Sequence, residues 1–434
     1  MPGTDPYVPG HGNAAYDVEH YDLDLRYKPA GNRLDAEATL RCVALDELDN
    51  LVLDLHHLRV TRVSVAGHGV DKFAHRNDKL RIRLKSPVLT GERFSVTVKY
   101  SGAPTAVKSR ALGDAGWEEL DDGVIVAAQP HGAPSWFPCN DRPDNKATYA
   151  ISISAPSDYH VAFSGALLSS SRSGASTTWS YEQTAPMATY LATVQIGRYV
   201  VSEQPGVVPI RVVRPADVRG PAYDASFGQQ PKMMQFFTER FGPYPFEGYT
   251  TVITNDDLEI PLESQSLSTF GRNFASAEWS EVRLVAHELA HQWFGNAVTL
   301  RHWKDIWLHE GFACYSEWLW SEQAGPKSTA EWVEHYHRKL SDLPQDLVLA
   351  DPTPDLMFDD RVYKRGALTL HALRITVGDE AFFEILRRWV ADNNGGTITT
   401  PQFVIHCEEI SGKPLAGLFR DWLEETALPP LPAS

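Results

Sequence analysis

From about Tyr21 to Tyr199 the chain alternates apolar and polar residues with a period of two. HYDLDLRY places Tyr21, Leu23, Leu25 and Tyr27 on one side, KLRIRLKS does so with Leu80, Ile82 and Leu84, and RFSVTVKY with Phe94, Val96, Val98 and Tyr100. Strict alternation predicts strands with one buried and one wetted face. Ala66-Gly67 and Ser101-Gly102-Ala103-Pro104 read as turns between them, which suits an antiparallel β domain. Beyond about Val200 the period lengthens. QQPKMMQFFTERFG has its bulky residues at helical spacing and stops at Gly242-Pro243. A short strand-like TTVIT (Thr250 to Thr254) follows, then helices to the end, with LPPLPAS read as a loose tail. The expected architecture is therefore multi-domain, an N-terminal antiparallel β domain (1–202) and a mostly α-helical domain (203–434), with the change falling near residues 199 to 206.

A length of 434 residues suits two or three domains, and 43% hydrophobic against 22% charged residues excludes a disordered chain. The formal charge of −16 repels phosphate backbones and anionic membranes, so neither nucleic acid nor membrane is an expected partner. Cys42, Cys139, Cys314 and Cys407 are far apart and form no CxxC pair, which points to buried thiols in a reducing compartment. The opening MPGTDPYVPGHGNAAYD lacks a basic start followed by an apolar run, and no uncharged apolar stretch reaches about 18 residues. A cytoplasmic location is expected.

The chemistry concentrates in VAHELAHQWFG. Ser280 is a suitable cap for a helix beginning at Glu281, and Gly295 a suitable end, so HELAH falls in the second half of that helix. His287 and His291, four apart, leave the same face one turn from each other and can reach one ion. Zinc takes imidazole nitrogen readily and in catalytic sites uses three protein ligands, leaving one position open. Glu310 is the third candidate. It lies on a second helical stretch, KDIWLHEGFACYSEWLWSE, with eighteen intervening residues (292 to 309), enough for a helix end, a turn and an antiparallel return. Glu288 would face the water at the open position and take its proton, as in other H-E-x-x-H helices. Copper or nickel would also bind such ligands; zinc, one per chain, is the expectation for hydrolysis. Glu317, seven residues beyond Glu310 on the same face, is placed either to orient a histidine ligand or to sit exposed on the helix.

HELAHQWFG, WLHEGFACYSE and VYKRGA (Val362 to Ala367), together with FGPYPF (Phe241 to Phe246) and FPCNDRPDNKATY (Phe137 to Tyr149), resemble the thermolysin-like zinc aminopeptidases of the alanyl-aminopeptidase type, a family that includes leukotriene hydrolase. The resemblance runs from about residue 15 to residue 425. It implies a saddle-shaped β domain followed by a thermolysin-like catalytic domain, here in a short form without the further helical domain many members carry, and so a more open site. It also implies roles: His287, His291 and Glu310 as zinc ligands, Glu288 as general base, and Tyr363 as the hydroxyl that binds the oxyanion. Read without the family, Tyr363 beside Lys364 and Arg365 would be a packing or surface residue.

The same resemblance supplies the feature that counts from the amino terminus. Glu263, in IPLESQS, matches the glutamate of the family's Gly-Ala-Met-Glu-Asn segment, which binds the free α-ammonium; Gln129, in VIVAAQPHGAPSWF, matches its second amine-binding residue. A carboxylate near the metal fixes register by a charge-assisted hydrogen bond to that ammonium. Ile260, Pro261 and Ser264 depart from the usual segment, and Pro261 has no N–H to donate. The expected function is removal of single N-terminal residues from peptides. The rivals are an endopeptidase or epoxide hydrolase on the same scaffold and a binding module that has lost catalysis.

Overall fold

The computed structural model describes residues 5–432. Its first strands follow the period-two pattern: in Tyr16–Lys28 the side chains of Tyr21, Leu23, Leu25 and Tyr27 are buried while Asp22, Asp24 and Arg26 are exposed. This strand pairs on one side with Arg33–Ala44, antiparallel, and on the other with Ala147–Pro156. The second pairing is parallel, unlike the all-antiparallel domain expected. A parallel neighbour needs a long crossover, and the chain builds a three-stranded sheet and part of a five-stranded one before it returns at residue 147. The resulting seven-stranded sheet is joined by a three-stranded sheet (Leu48–Asp54, Lys79–Val88, Val70–Arg76) and a five-stranded one that includes Gly123–Ala127. Tyr21 and Tyr149 stack with centroids 4.9 Å apart, and Phe137 meets Tyr21 edge-on at 5.4 Å, so the FPCNDRPDNKATY segment closes this core.

The second half carries more strand than the sequence suggested. Val200–Gln204, Ile210–Arg214, Tyr249–Ile253, Leu267–Phe270 and Leu262–Ser264 form a mixed five-stranded sheet in that order, of which only the TTVIT strand was expected. Of the others, Ile210–Arg214, Leu267–Phe270 and Leu262–Ser264 are short and nearly continuous in burial, and Val200–Gln204 is exposed or half-buried throughout, so none carries a clear apolar alternation to read. The strand Val200–Gln204 runs across the expected division at residue 202 and bonds to Ile210–Arg214.

Around this sheet lie the helices α1 (Pro221–Ala225), α2 (Gln230–Phe241), α3 (Trp279–Ala290), α4 (Trp307–Ala324), α5 (Thr329–Ser341), α6 (Asp360–Val377), α7 (Asp379–Asn393), α8 (Thr400–Ser411) and α9 (Ala416–Phe419). Two expected boundaries move. α3 begins before Ser280, with Glu278 as its extended N-cap residue and the Glu278 carbonyl accepting from the Glu281 and Val282 N–H groups. The earlier start sets Trp279 against Trp332 of α5, ring centroids 6.4 Å apart. At the other end His291 is the C-cap, and Gly295, at φ +128°, lies in the turn beyond it. Nor is the C-terminal segment loose as far as Pro432. Arg365 donates to the carbonyls of Trp422, Glu425 and Thr426, and Leu428 and Leu431 pack on the core; the last two residues of LPPLPAS lie outside the described residues.

α4 is buried all round from Trp307 to Ser321 and lies against α6. The two meet at Gly311 and Gly366, where a Cβ on either residue would come within 2.8 Å of the other's Cα. Only glycine permits that approach. It brings Glu310 on α4 close to Tyr363 on α6.

Candidate active site

α3 and α4 together supply a cluster of two imidazoles and one carboxylate. The Nε2 atoms of His287 and His291 each lie 3.4 Å from the same oxygen, Oε2 of Glu310. All three residues are buried. That spacing is longer than a charge-assisted hydrogen bond. It matches the edge of a tetrahedron, about 3.3 to 3.4 Å, whose centre is a metal bonded at about 2.0 to 2.1 Å. The remaining ring nitrogens are committed elsewhere. His287 Nδ1 is 2.7 Å from Glu317 Oε1, and His291 Nδ1 is 3.0 Å from the Phe294 carbonyl oxygen, to which it donates. Each imidazole thus presents its Nε2 to Glu310, so the donor set fits a zinc ion.

Glu317 is 2% exposed, which settles the choice left open by sequence in favour of the interior. Arg283, one turn before His287, donates to both of its oxygens at 3.0 and 3.2 Å. Burial opposes its charge, but Arg283, Lys364 and His287 hold the carboxyl well below the ordinary range.

Glu288 is 3% exposed, and its Oε2 has no partner among the described residues. Burial, reinforced by the nearby Glu263 and Glu310 carboxylates, raises its pKa above the ordinary carboxylate value, against the opposing pull of His287 and His291. A carboxylate so poised accepts a proton readily. Tyr363 is half-buried, with its ring 6.1 Å from that of His287 and tilted by 23°. Burial and the three carboxylates Glu310, Glu263 and Glu288 push its ionisation well above the ordinary value, so it keeps its proton and can donate.

Glu263 sits on the short edge strand Leu262–Ser264, opposite Ser268, and is 6% exposed. Pro261 precedes the strand, so its missing N–H costs the ladder nothing. Gln129 arrives from the other domain and donates from Nε2 to Glu263 Oε1 at 2.6 Å. Ligand atoms of Glu263, Glu288 and His291 lie within 4.8 Å of one another. The seven residues singled out by sequence therefore lie together. A groove of about 550 Å³ between the domains, lined among others by Glu182, Arg211, Phe246 and Ser266, includes none of them.

Four further residues hold this arrangement and were not found by sequence. Gln292 Oε1 accepts from the Ser266 N–H at 2.8 Å, and Gln292 Nε2 and Asn296 Nδ2 both donate to the Ser264 carbonyl, at 3.2 and 3.0 Å, tying the Glu263 strand to the end of α3. Lys146, from the N-terminal half, donates to the Asn296 and Ala297 carbonyls at 2.9 and 3.1 Å. Arg283 is the fourth, and its place one turn before His287 was the available signal.

Residues 17–191 match the Peptidase M1 N-terminal domain and residues 225–422 the Peptidase family M1 domain. Aminopeptidase M1-D of Oryza sativa subsp. japonica is 27% identical over 442 residues, covering 94% of this chain and 50% of that protein. Leucyl aminopeptidase of Saccharolobus solfataricus is 24% identical over 409 residues, covering 88% and 50%. The chain spans about half the length of these relatives. Among solved structures, an M1 zinc metallopeptidase from Deinococcus radiodurans superposes with a TM-score of 0.89 at 31% identity, covering 99% of both chains. A variant of that enzyme bound to a Tyr-Ser-Ala substrate is equally similar.

Proposed function

The chain belongs to peptidase family M1, and from that premise we propose that it is a zinc-dependent aminopeptidase, removing the N-terminal residue of peptides that have a free α-amine. The observation that carries the reading is the pair of Nε2 atoms converging on one Glu310 oxygen beside a partnerless Glu288.

His287, His291 and Glu310 would hold the zinc, with Glu317 and the Phe294 carbonyl fixing the ring orientations. When bound, the ion supplies Lewis acidity at the scissile carbonyl and acidifies water. Glu288 takes the proton of the attacking water and returns it to the leaving amine. The Tyr363 hydroxyl donates to the oxyanion as the carbonyl becomes tetrahedral. Glu263 receives the α-ammonium with Gln129 alongside, and because both lie close to the proposed base, only the first peptide bond is in register. None of the helices among the described residues is long and apolar enough to cross a membrane. A cytoplasmic setting is part of the proposal, supported by four buried, unpaired cysteines.

The test is a panel of aminoacyl fluorogenic substrates and matched peptides, free and N-acetylated, with and without a chelator. Cleavage of the free substrates alone, abolished by chelation and restored by zinc, is expected. Efficient internal cleavage of the acetylated peptides would replace this reading with an endopeptidase.

A further inference from the structure

Outside the proposed active site, two histidines and an aspartate of the N-terminal half form a further cluster. His56 and His57 follow the strand Leu48–Asp54, and Asp78 lies at the turn of the hairpin made by Val70–Arg76 and Lys79–Val88. The three residues bring one ligand atom each within 4.8 Å of one another. Two tight turns place them. Asn77 and Asp78 both have positive φ, +51° and +58°, as a two-residue hairpin turn requires. His57 has φ +50°, and the Leu58 N–H donates back to the His56 carbonyl. The turns are tied to each other: the Leu55 N–H donates to the Asp78 carbonyl at 3.1 Å, and His75 Nε2 donates to the Leu55 carbonyl at 2.7 Å. The His56 N–H is held by the Pro134 carbonyl at 2.8 Å.

Within this frame His56 has an unmet nitrogen. Its side chain is 8% exposed, and Nδ1, 3.0 Å from Asp78 Oδ1, has no hydrogen-bond partner among the described residues. The distance suits a hydrogen bond, but the direction does not. As an N–H the atom has no acceptor in line; as a lone pair it faces a carboxylate oxygen. A cation bonded to both atoms answers either problem, because an ion about 2.0 to 2.1 Å from each lies ~45° off the line between them. Lys79, next in the chain, does not supply this charge, since it pairs with Asp54.

We propose that His56, His57 and Asp78 bind a divalent transition-metal ion that pins the hairpin tip to the loop after Leu48–Asp54. Two imidazoles and a carboxylate select zinc, nickel or copper over calcium and magnesium, which take oxygen ligands. His56 and Asp78 form the preset half of the site, and His57 closes it. The His57 ring stacks on that of His56, with centroids 3.8 Å apart and 20° between the planes, and its Nε2 is 3.9 Å from Asp78 Oδ1. A bound ion lies near the plane of each imidazole that holds it, so His57 turns off the stack to complete the set. It has room to do so: its side chain is 71% exposed and makes no hydrogen bond among the described residues. Burial, opposed by Asp78, lowers the pKa of His56 and so favours the neutral ring that metals require.

The experiment is equilibrium dialysis of the full chain, loaded with one equivalent of zinc, against micromolar nickel(II), with both metals read by atomic absorption. One nickel per chain is expected, with zinc content unchanged and no displacement by an equal concentration of calcium. His57→Asn and Asp78→Asn each install a residue that tolerates positive φ, so both turns survive. Each should weaken nickel binding at least ~10-fold through loss of a ligand. Nickel should raise the thermal unfolding midpoint of the unaltered chain and leave those of the variants in place, while midpoints without nickel show that the variants are folded. Absence of added nickel would overturn the proposal, as would nickel that replaces the zinc, yields to calcium or binds both variants as tightly as the unaltered chain. Peptide cleavage enters none of these readouts, so failure of the aminopeptidase reading would register separately.

Discussion

The proposed metal end of the site draws His287, His291, Glu310, Glu317 and Arg283 from two adjacent helices, each side chain held by at least one other member. The proposed amine end joins Gln129 and Glu263, 134 residues apart and from different domains, through one hydrogen bond of 2.6 Å. The first end is rigid through local redundancy. The second depends on how two domains meet, with Lys146, Gln292 and Asn296 as the struts that hold the strand and the turn after α3 in place. A mutation at the metal end should therefore act on the chemical step or on the ion, and one at the amine end on substrate binding.

The sharpest division between these effects should come from Glu288→Ala. It removes the proposed base and no proposed ligand, so turnover should fall by up to about 10⁴-fold while zinc content, measured by atomic absorption, stays near one per chain. Parallel loss of metal would mean that Glu288 belongs among the ligands. Tyr363→Phe comes next. It keeps the ring and deletes the proposed donor to the oxyanion, so kcat and kcat/KM should fall together by about 10² to 10³ with KM within a few fold. A raised KM with kcat intact would move Tyr363 to the amine end of the comparison.

Glu317→Gln keeps the shape but weakens the hold on His287 and strands Arg283. Zinc affinity, read by competition with a chromogenic chelator, should drop about 10- to 100-fold. For Gln129→Ala the expected change is a rise of about tenfold in KM for free peptides, with kcat little altered, because a single hydrogen bond to a charged group is lost. A fall in kcat alone would show that the two ends are not separable.

The smallest effect on turnover is expected at Lys146, and its signature is pH-dependent stability. Burial lowers its pKa from 10.5 to about 7. Between those values the unfolded chain holds a proton that the folded chain does not, so this group makes stability rise as pH increases through that window. Lys146→Met should flatten that rise in urea midpoints measured at neutral and alkaline pH. An unchanged profile would mean that the two carbonyl acceptors keep the ammonium charged.

Much of this was legible because it is short-range. The period-two strands, the His287–His291 spacing on one helical face and the burial of all four cysteines follow from local pattern and composition. So did the existence of a second helix with Glu310, although the start of α3 was missed because it answers to Trp332, more than fifty positions away. Glu317 was ambiguous for a related reason: a glutamate on a helix is exposed by default, and only the packing of α4 on every side with Arg283 opposite makes it internal.

Helix and strand periods are properties of the backbone and need no distant partner, so the chemical groups and their local geometry can be read from the chain alone. Which groups share a site was decided by tertiary structure. Gly311 against Gly366 sets α4 on α6 and so Tyr363 near the histidines; Lys146 and Gln129 cross from the other domain; the parallel return at Ala147–Pro156 fixes where that domain stands. Each of these is a contact between residues tens to hundreds of positions apart. Local propensity cannot encode such a contact, because it forms only after the chain has folded back and the burial of both partners outweighs the entropy of bringing them together.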